Sequence, residues 1–279
     1  MKLGGSIVSR FESAEQWGQN LERARFSAAT CPIAYDAPDR VVADMLAEAV
    51  KRSVVIAEVG IWRNTLSPDR ATREKALAFA KGQLAFADQI GAACCVNIAG
   101  SAGEVWDGAY TENYSSQTYD AIVRMIRDII DTVRPKRTYF TIEPMPWMVP
   151  DGPDEYLKLL NDVDRERFAV HMDFVNMINS IKRSIFAEDF IEECFSKLSP
   201  WIKSCHIKDI IQENTFTTVI RETAPGKGKL DYERILLSIH KHLPDTIPVL
   251  LEHMSSDEEY ALAYDYIVHI AKNAGVHYR

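Results

Sequence analysis

Four short apolar segments of the chain each end on a residue able to bind a cation or move a proton. Residues 137–142, rich in Tyr, Phe, Thr and Ile, run into Glu143, and Pro144 and Pro146 follow. Proline cannot donate to a strand ladder, so a strand must stop there. Residues 168–173 end on Asp173, 202–206 on His206 and 247–252 on Glu252. Side chains alternate along a strand, so sidedness is readable from parity. Glu143 shares a side with Thr141, Asp173 with His171, His206 with Ser204 and Lys208, and Glu252 with Leu250. Three carboxylates and one imidazole at a common depth suit one divalent ion, Mn²⁺ foremost, with Mg²⁺ or Co²⁺ as alternatives. Zn²⁺ is a further alternative, although the set holds no thiolate. The plainer reading gives each acid a rim salt bridge, which serves for any one of them. It fails for all four, because uncompensated carboxylates crowded into one mouth repel.

The elements that must position these groups alternate strictly. Strand-like runs at 3–8, 26–33, 54–59, 93–98, 137–142, 168–173, 202–206 and 247–252 are separated by helical patterns. The helices are expected at 13–24, 39–52, 67–90, 116–133, 153–161, 187–198, 231–242 and 256–273. Ser13 and Gln16 stand at capping-box spacing, Ser67-Pro68-Asp69 reads as cap, first-turn proline and first-turn acid, and Gly91 closes the third helix. Loops are expected at 100–113, at Lys182 and Arg183, and at 210–229. Strands alternating with helices of this length make βαβ units and a parallel sheet. Eight units predict a single α/β domain over residues 1–279, a closed (β/α)8 TIM barrel, whose active site lies at the carboxyl ends of its strands. An open dinucleotide-binding sheet would want a glycine-rich turn after the first strand, and Ser9-Arg10-Phe11 offers none.

Bulk properties narrow the partners. The net charge is −8, which argues against nucleic acid. The five cysteines form no Cys-x-x-Cys pair and sit in apolar segments, as reduced core thiols of a cytoplasmic protein would. The N-terminus lacks the pattern of a signal peptide, and no run approaches a membrane span. A small molecule is therefore the expected partner, with homo-oligomerisation left open.

Strand-end Glu143, Asp173, His206-Ile207-Lys208-Asp209, Pro225-Gly226-Lys227-Gly228 and Glu252, in this order, resemble the xylose isomerase-like barrel superfamily, and within it the sugar or sugar-phosphate isomerase/epimerase branch. The resemblance spans essentially the whole chain. It implies one divalent metal on Glu143, Asp173, His206 and Glu252, with the two glutamates also acting as acid and base. It implies proton abstraction beside the carbonyl of a carbohydrate, through an enediolate. The same chemistry serves a lyase of the branch, such as an inosose-type dehydratase or a subunit cleaving C-glycosides of a 3-keto sugar. A barrel that binds sugar without turnover is the third reading. Two departures stand out: Asn176 and Gln212 replace the histidine and arginine of the ketose 3-epimerases. Asn97 and Asn176, where histidines would be wanted, set the three-zinc endonuclease branch aside.

Further candidates for substrate binding are Glu58 and Trp62 at the third strand end, Asn97, Trp106 and Trp147 as stacking platforms, Asn176, Lys208, and Arg221 before the Pro225-Gly226 turn. The plainer readings are core packing for each tryptophan and a salt bridge for Lys208. His171 is expected to support a ligand rather than be one. His253 has the wrong parity for the site.

Overall fold

The structure, a computed structural model, describes residues 1–277. In chain order it contains β1 (Lys2–Gly5), α1 (Ala14–Ala24), β2 (Ala28–Thr30), α2 (Asp39–Lys51), β3 (Val55–Gly60), α3 (Arg70–Ile90) and β4 (Cys94–Ile98). A 3₁₀ turn at Thr111–Tyr114 leads to α4 (Ser116–Val133), β5 (Phe140–Glu143), α5 (Pro153–Val163) and β6 (Phe168–Asp173). Then come α6 (Ile181–Ile185), α7 (Ala187–Leu198), β7 (Ile202–Ile207), β8 (Asp209–Glu213), β9 (Val219–Thr223), α8 (Tyr232–His242), β10 (Pro248–Leu251) and α9 (Asp257–Asn273). Strands β1-β10-β7-β6-β5-β4-β3-β2 close into a parallel barrel, as the eightfold alternation predicts.

Local chemistry sets the helix ends. Ser13, Asp69, Ser115, Asp231 and Ser256 each accept a backbone N–H of the turn they open. For α3 the cap is thus Asp69, two residues later than the Ser67 expected, because Asp69 Oδ1 reaches Thr72 N at 2.7 Å. The expected first strand is also trimmed, since the chain leaves the barrel after Gly5. Lys182 and Arg183 lie in the short helix α6 rather than in a loop. The largest departure is the 210–229 stretch: β8 and β9 form an antiparallel hairpin, Ile210 opposite Glu222 and Ile211 opposite Arg221. Two β-rich runs flanking Asn214 and Thr215 carried that signal in the sequence.

Most buried apolar side chains pack between the barrel and its helices in one continuous cluster. A second small cluster, Ala28, Ala57 and Leu250, lies apart from it, and the parity of Leu250 with Glu252 places it inside the ring. The ring is tight there: a Cβ on Gly4 would stand 1.6 Å from the Ala28 carbonyl oxygen.

Helix-borne polar groups hold the strand ends. The buried Tyr156 hydroxyl of α5 donates to the Ile142 and Ala169 carbonyls, tying β5 to β6 one residue before Glu143. The Tyr232 hydroxyl of α8 donates to the Lys208 carbonyl at 2.7 Å. The Asp88 carboxylate of α3 accepts the N–H groups of Lys136, Arg137 and Thr138, fixing the entry to β5.

Gly4→Ala forces a backbone shift inside the ring, so we expect it to cost about 3 kcal/mol or more. Urea denaturation should show a lower midpoint; an unchanged midpoint would refute the close approach.

Candidate functional site

Glu143, Asp173, His206 and Glu252 converge at the carboxyl mouth of the barrel. One ligand-type atom from each lies within 4.8 Å of all the others. His206 Nδ1 stands 3.0 Å from Glu252 Oε1 and 3.6 Å from Glu143 Oε2. Each group arrives as its strand stops: Glu143, Asp173 and His206 in the last two positions of β5, β6 and β7, Glu252 one residue past β10. Proline after Glu143 enforces the stop on β5.

Three buried atoms of this cluster, Glu143 Oε2, Asp173 Oδ2 and His206 Nδ1, have no aligned hydrogen-bond partner. A buried polar atom left so costs roughly 1–3 kcal/mol. Asp173 Oδ2 does meet Lys208 Nζ at 2.8 Å, but as a charge rather than as an aligned hydrogen bond. The donors that lack partners point at one another, and their chemistry fits a hard or borderline divalent cation.

A second group backs the first. Glu58 lies 3.1 Å from His206 Nε2 and 3.6 Å from His171 Nδ1. Its carboxylate holds the His206 ring by Nε2, which leaves Nδ1 to face the cluster. Burial, then the His206 charge, hold His171 well below the usual imidazole range, so it is neutral.

Electrostatics divide the two glutamates. Burial and the repulsion of Glu252 push Glu143 up to about 7. Burial also opposes ionisation of Glu252, yet the neighbouring His206 and Lys208 charges hold it well below the usual carboxylate range. Burial works against a charge on His206, but Glu252, Glu58 and Glu143 together raise it well above its ordinary value.

The cluster floors a cavity of about 1360 Å³, lined in part by Glu58, Glu143, His206 and Glu252. Its walls are largely apolar and aromatic: Ile33, Trp62, Phe79, Trp106, Trp147, Ile178 and Tyr260. All three tryptophans named from the sequence face it. Trp147 Nε1 also donates to the Asp107 carbonyl at 2.6 Å, joining the loops after β4 and β5. Asn176 lines the cavity too, its Nδ2 donating to Glu143 Oε1 at 3.0 Å.

Three candidates stand elsewhere. Asn97 is fully buried and bonds both the N–H and the carbonyl of Arg63; its amide holds the Trp62–Arg63 backbone and does not line the cavity. Arg221 points out of the hairpin, where its Nε donates to Glu213 Oε1 at 2.6 Å. Strand alternation is the reason: Ile220 and Glu222, its neighbours, face the cavity. Lys208 is inward but sunk beneath the cavity, 1% exposed, 2.8 Å from Asp173 and 2.7 Å from Glu252.

Sequence reasoning missed Glu222 and His253. Both line the cavity, and His253 Nδ1 lies 2.8 Å from Glu222 Oε1. Parity misleads at His253 because β10 has ended and the residue takes φ 60°. In the sequence Asp209 stands out only as the last residue of the His206-Ile207-Lys208-Asp209 run. Its carboxylate accepts four backbone N–H groups, from Ile210, Gly226, Gly228 and Leu230. That explains why Asp209 and the Pro225–Gly228 turn occur together. A Cβ on Gly228 would stand 2.2 Å from Asp209 Oδ1.

A closed parallel barrel carrying an acid–imidazole cluster at the carboxyl ends of its strands defines a TIM barrel of the site-bearing kind. The chain belongs to the xylose isomerase-like TIM-barrel family, whose profile matches residues 12–268. No curated protein matches it significantly. Solved structures that superpose on it include a xylose isomerase-like barrel from Mycobacterium smegmatis in complex with magnesium: 16% identity, TM-score 0.70, 98% of this chain and 97% of that one. Another is D-psicose 3-epimerase from Clostridium cellulolyticum H10 with D-tagatose: 16%, 0.69, 97% and 99%. A third is a probable 3-DHS dehydratase of petrobactin synthesis from Bacillus anthracis: 18%, 0.73, 96% and 98%. At these identities they share its fold. Among the described residues, no helix is long and apolar enough to cross a membrane.

Asp209→Ala strands four buried or half-buried N–H groups. We expect a loss of about 1–3 kcal/mol and faster amide exchange at 226–230. Wild-type exchange there would show that the carboxylate does not hold the turn.

Proposed function

We propose that this protein is a divalent-metal-dependent enzyme that moves a proton beside the carbonyl of a carbohydrate, as an isomerase or epimerase. One observation carries the reading: Glu143 Oε2, Asp173 Oδ2 and His206 Nδ1 are buried, lack aligned hydrogen bonds and face a common point with Glu252. Glu143, Asp173, His206 and Glu252 would hold the ion, Mn²⁺ foremost, with Mg²⁺, Co²⁺ or Zn²⁺ as alternatives. When bound, the ion supplies Lewis-acid polarisation of a carbonyl and its neighbouring hydroxyl.

The remaining work belongs to the chain's own residues. One glutamate takes the carbon-bound proton and the other returns one, giving an enediolate between the two steps. Asn176 fixes Glu143 through Oε1 and leaves Oε2 to act. Glu58 orients the His206 ring. Trp62, Trp106 and Trp147 offer flat faces to a sugar ring, and their loops exclude water.

A lyase of the same branch is the second reading, and the cavity favours weighing it. About 1360 Å³ with apolar walls exceeds what one free sugar fills, so the substrate has room for an apolar substituent. Elimination differs from epimerisation only in where the enolate's electrons go. Screening keto sugars and glycosides with Mn²⁺ in D₂O separates the two: solvent deuterium in a recovered sugar marks epimerisation, and an unsaturated product with a freed substituent marks elimination.

Glu143→Gln and Glu252→Gln keep shape and remove a base, so each should lower turnover roughly 10²–10⁴-fold with the fold intact. Near-normal turnover in either variant would remove that residue from the acid/base pair.

Metal uptake should also depend on pH. In the metal-free protein Glu143 holds its proton up to about 7 and His206 holds one above its ordinary range. A ligand must shed its proton, so affinity should fall as pH drops below about 7, with protons released on binding. Calorimetry in buffers of different ionisation enthalpy measures that release; pH-independent affinity would refute it.

A further inference from the structure

The buried ammonium of Lys208 stands where two of the cluster's carboxylates meet. Its Nζ is 2.7 Å from Glu252 Oε2 and 2.8 Å from Asp173 Oδ2. A third carboxylate lies slightly farther off: Glu222 Oε2, at 3.3 Å. Glu222 is not on the barrel. It sits on β9, in the hairpin that overhangs the mouth, and its other oxygen is held by His253. One buried cation therefore touches both the candidate metal centre and the hairpin.

A buried lysine is tolerated only where its charge is matched. Here the match is shared, and a divalent ion would upset it. Asp173 and Glu252 cannot give their oxygens fully to an ion and to an ammonium a few ångströms away, because the two cations repel. The nearest remaining acceptor for the ammonium is Glu222. A hairpin of two strands has little stability of its own, so its position over the mouth follows such a contact.

We propose that Lys208 is a tethered counter-ion that yields Asp173 and Glu252 to the metal and moves onto Glu222, so that metal binding draws the β8–β9 hairpin over the cavity. This rests on the metal-dependent reading above. Glu222 is then a positioning residue: it acts on the site through Lys208 and His253. Linkage makes the effect reciprocal, so whatever the ion does for the hairpin, the hairpin does for the ion.

The test uses the full-length protein with Mn²⁺ alone and two readouts, calorimetric affinity and hydrogen exchange of the hairpin amides. In the wild type, saturating Mn²⁺ should slow exchange at 211–221 by about fivefold or more, the lower end of ordinary allosteric coupling. Glu222→Gln should still bind Mn²⁺, more weakly by a comparable factor, while its hairpin exchange no longer responds. Lys208→Met removes the competing ammonium, so it should bind Mn²⁺ at least as tightly as wild type, again without the hairpin response. A purely structural lysine would instead give weaker binding. Mn²⁺ binding with unchanged hairpin exchange in the wild type, or an undiminished response in Glu222→Gln, overturns the coupling and leaves the metal site standing. No Mn²⁺ binding by the wild type at any pH tested would overturn the metal-dependent reading and the coupling with it. If Lys208→Met does not fold, Glu222→Gln decides alone.

Discussion

Repulsion among carboxylates governs the mouth of this barrel. Glu58, Glu143, Asp173, Glu222 and Glu252 all reach it, and the four barrel strands that supply Glu58, Glu143, Asp173 and Glu252 stop within one or two residues of them. Two like unit charges 4 Å apart repel by roughly 4 kcal/mol at the effective dielectric of a protein surface. Each acid therefore needs a cation or a proton near it. His206 serves Glu58, Glu143 and Glu252 together; Lys208 serves Asp173, Glu252 and Glu222; His253 serves Glu222 and Glu252. The polar buried residues of the mouth thus form one linked charge system, and removing any cation exposes several acids at once.

The barrel pays for this crowding with rigidity elsewhere. The carboxyl ends of β5 and β7 are fixed by Tyr156 and Tyr232, groups that reach in from the surrounding helices, and Asp88 fixes the opposite end of β5, where the strand begins. Asp209 fixes the return of the hairpin in the same way, through four N–H groups. Strand ends held by side chains of neighbouring helices keep like charges at distances they would not choose. A loop-borne cluster of the same residues could relax apart.

The sequence made the barrel and its four-residue cluster legible because both follow simple periodicities. Eight alternating units specify closure, and strand parity specifies which side chains face inward. Glu143, Asp173 and His206 lie within strands, where parity holds. It fails once the strand has ended: His253 lies past β10 at φ 60° and turns back toward the cavity. Arg221 was hidden by a different cause. The stretch from 210 to 229 reads as polar and irregular, yet it folds into a hairpin whose own alternation sends Arg221 outward and Glu222 inward. Asn97 shows a third limit: an inward-looking amide can be consumed by the backbone next to it, here both polar groups of Arg63. Side-chain type announces what a residue could bind, not which neighbour reaches it first.

The same charge system makes two identical side chains unequal. Glu143 is enclosed, with Asn176 on one oxygen and Glu252 repelling the other, and it rises to about 7. Glu252 is less enclosed, and the charges of His206 and Lys208 lie against it and hold it well below the usual carboxylate range. Paired carboxylates whose surroundings drive their affinities for protons apart are what acid/base exchange across a substrate requires, since one must hold a proton while the other accepts it. Lys208 is the asymmetric element: it contacts Glu252 and Asp173, and its ion pairs do not include Glu143. The His206 and Lys208 charges against Glu252, and the repulsion of Glu252 on Glu143, thereby drive the proton affinities of the two acids in opposite directions.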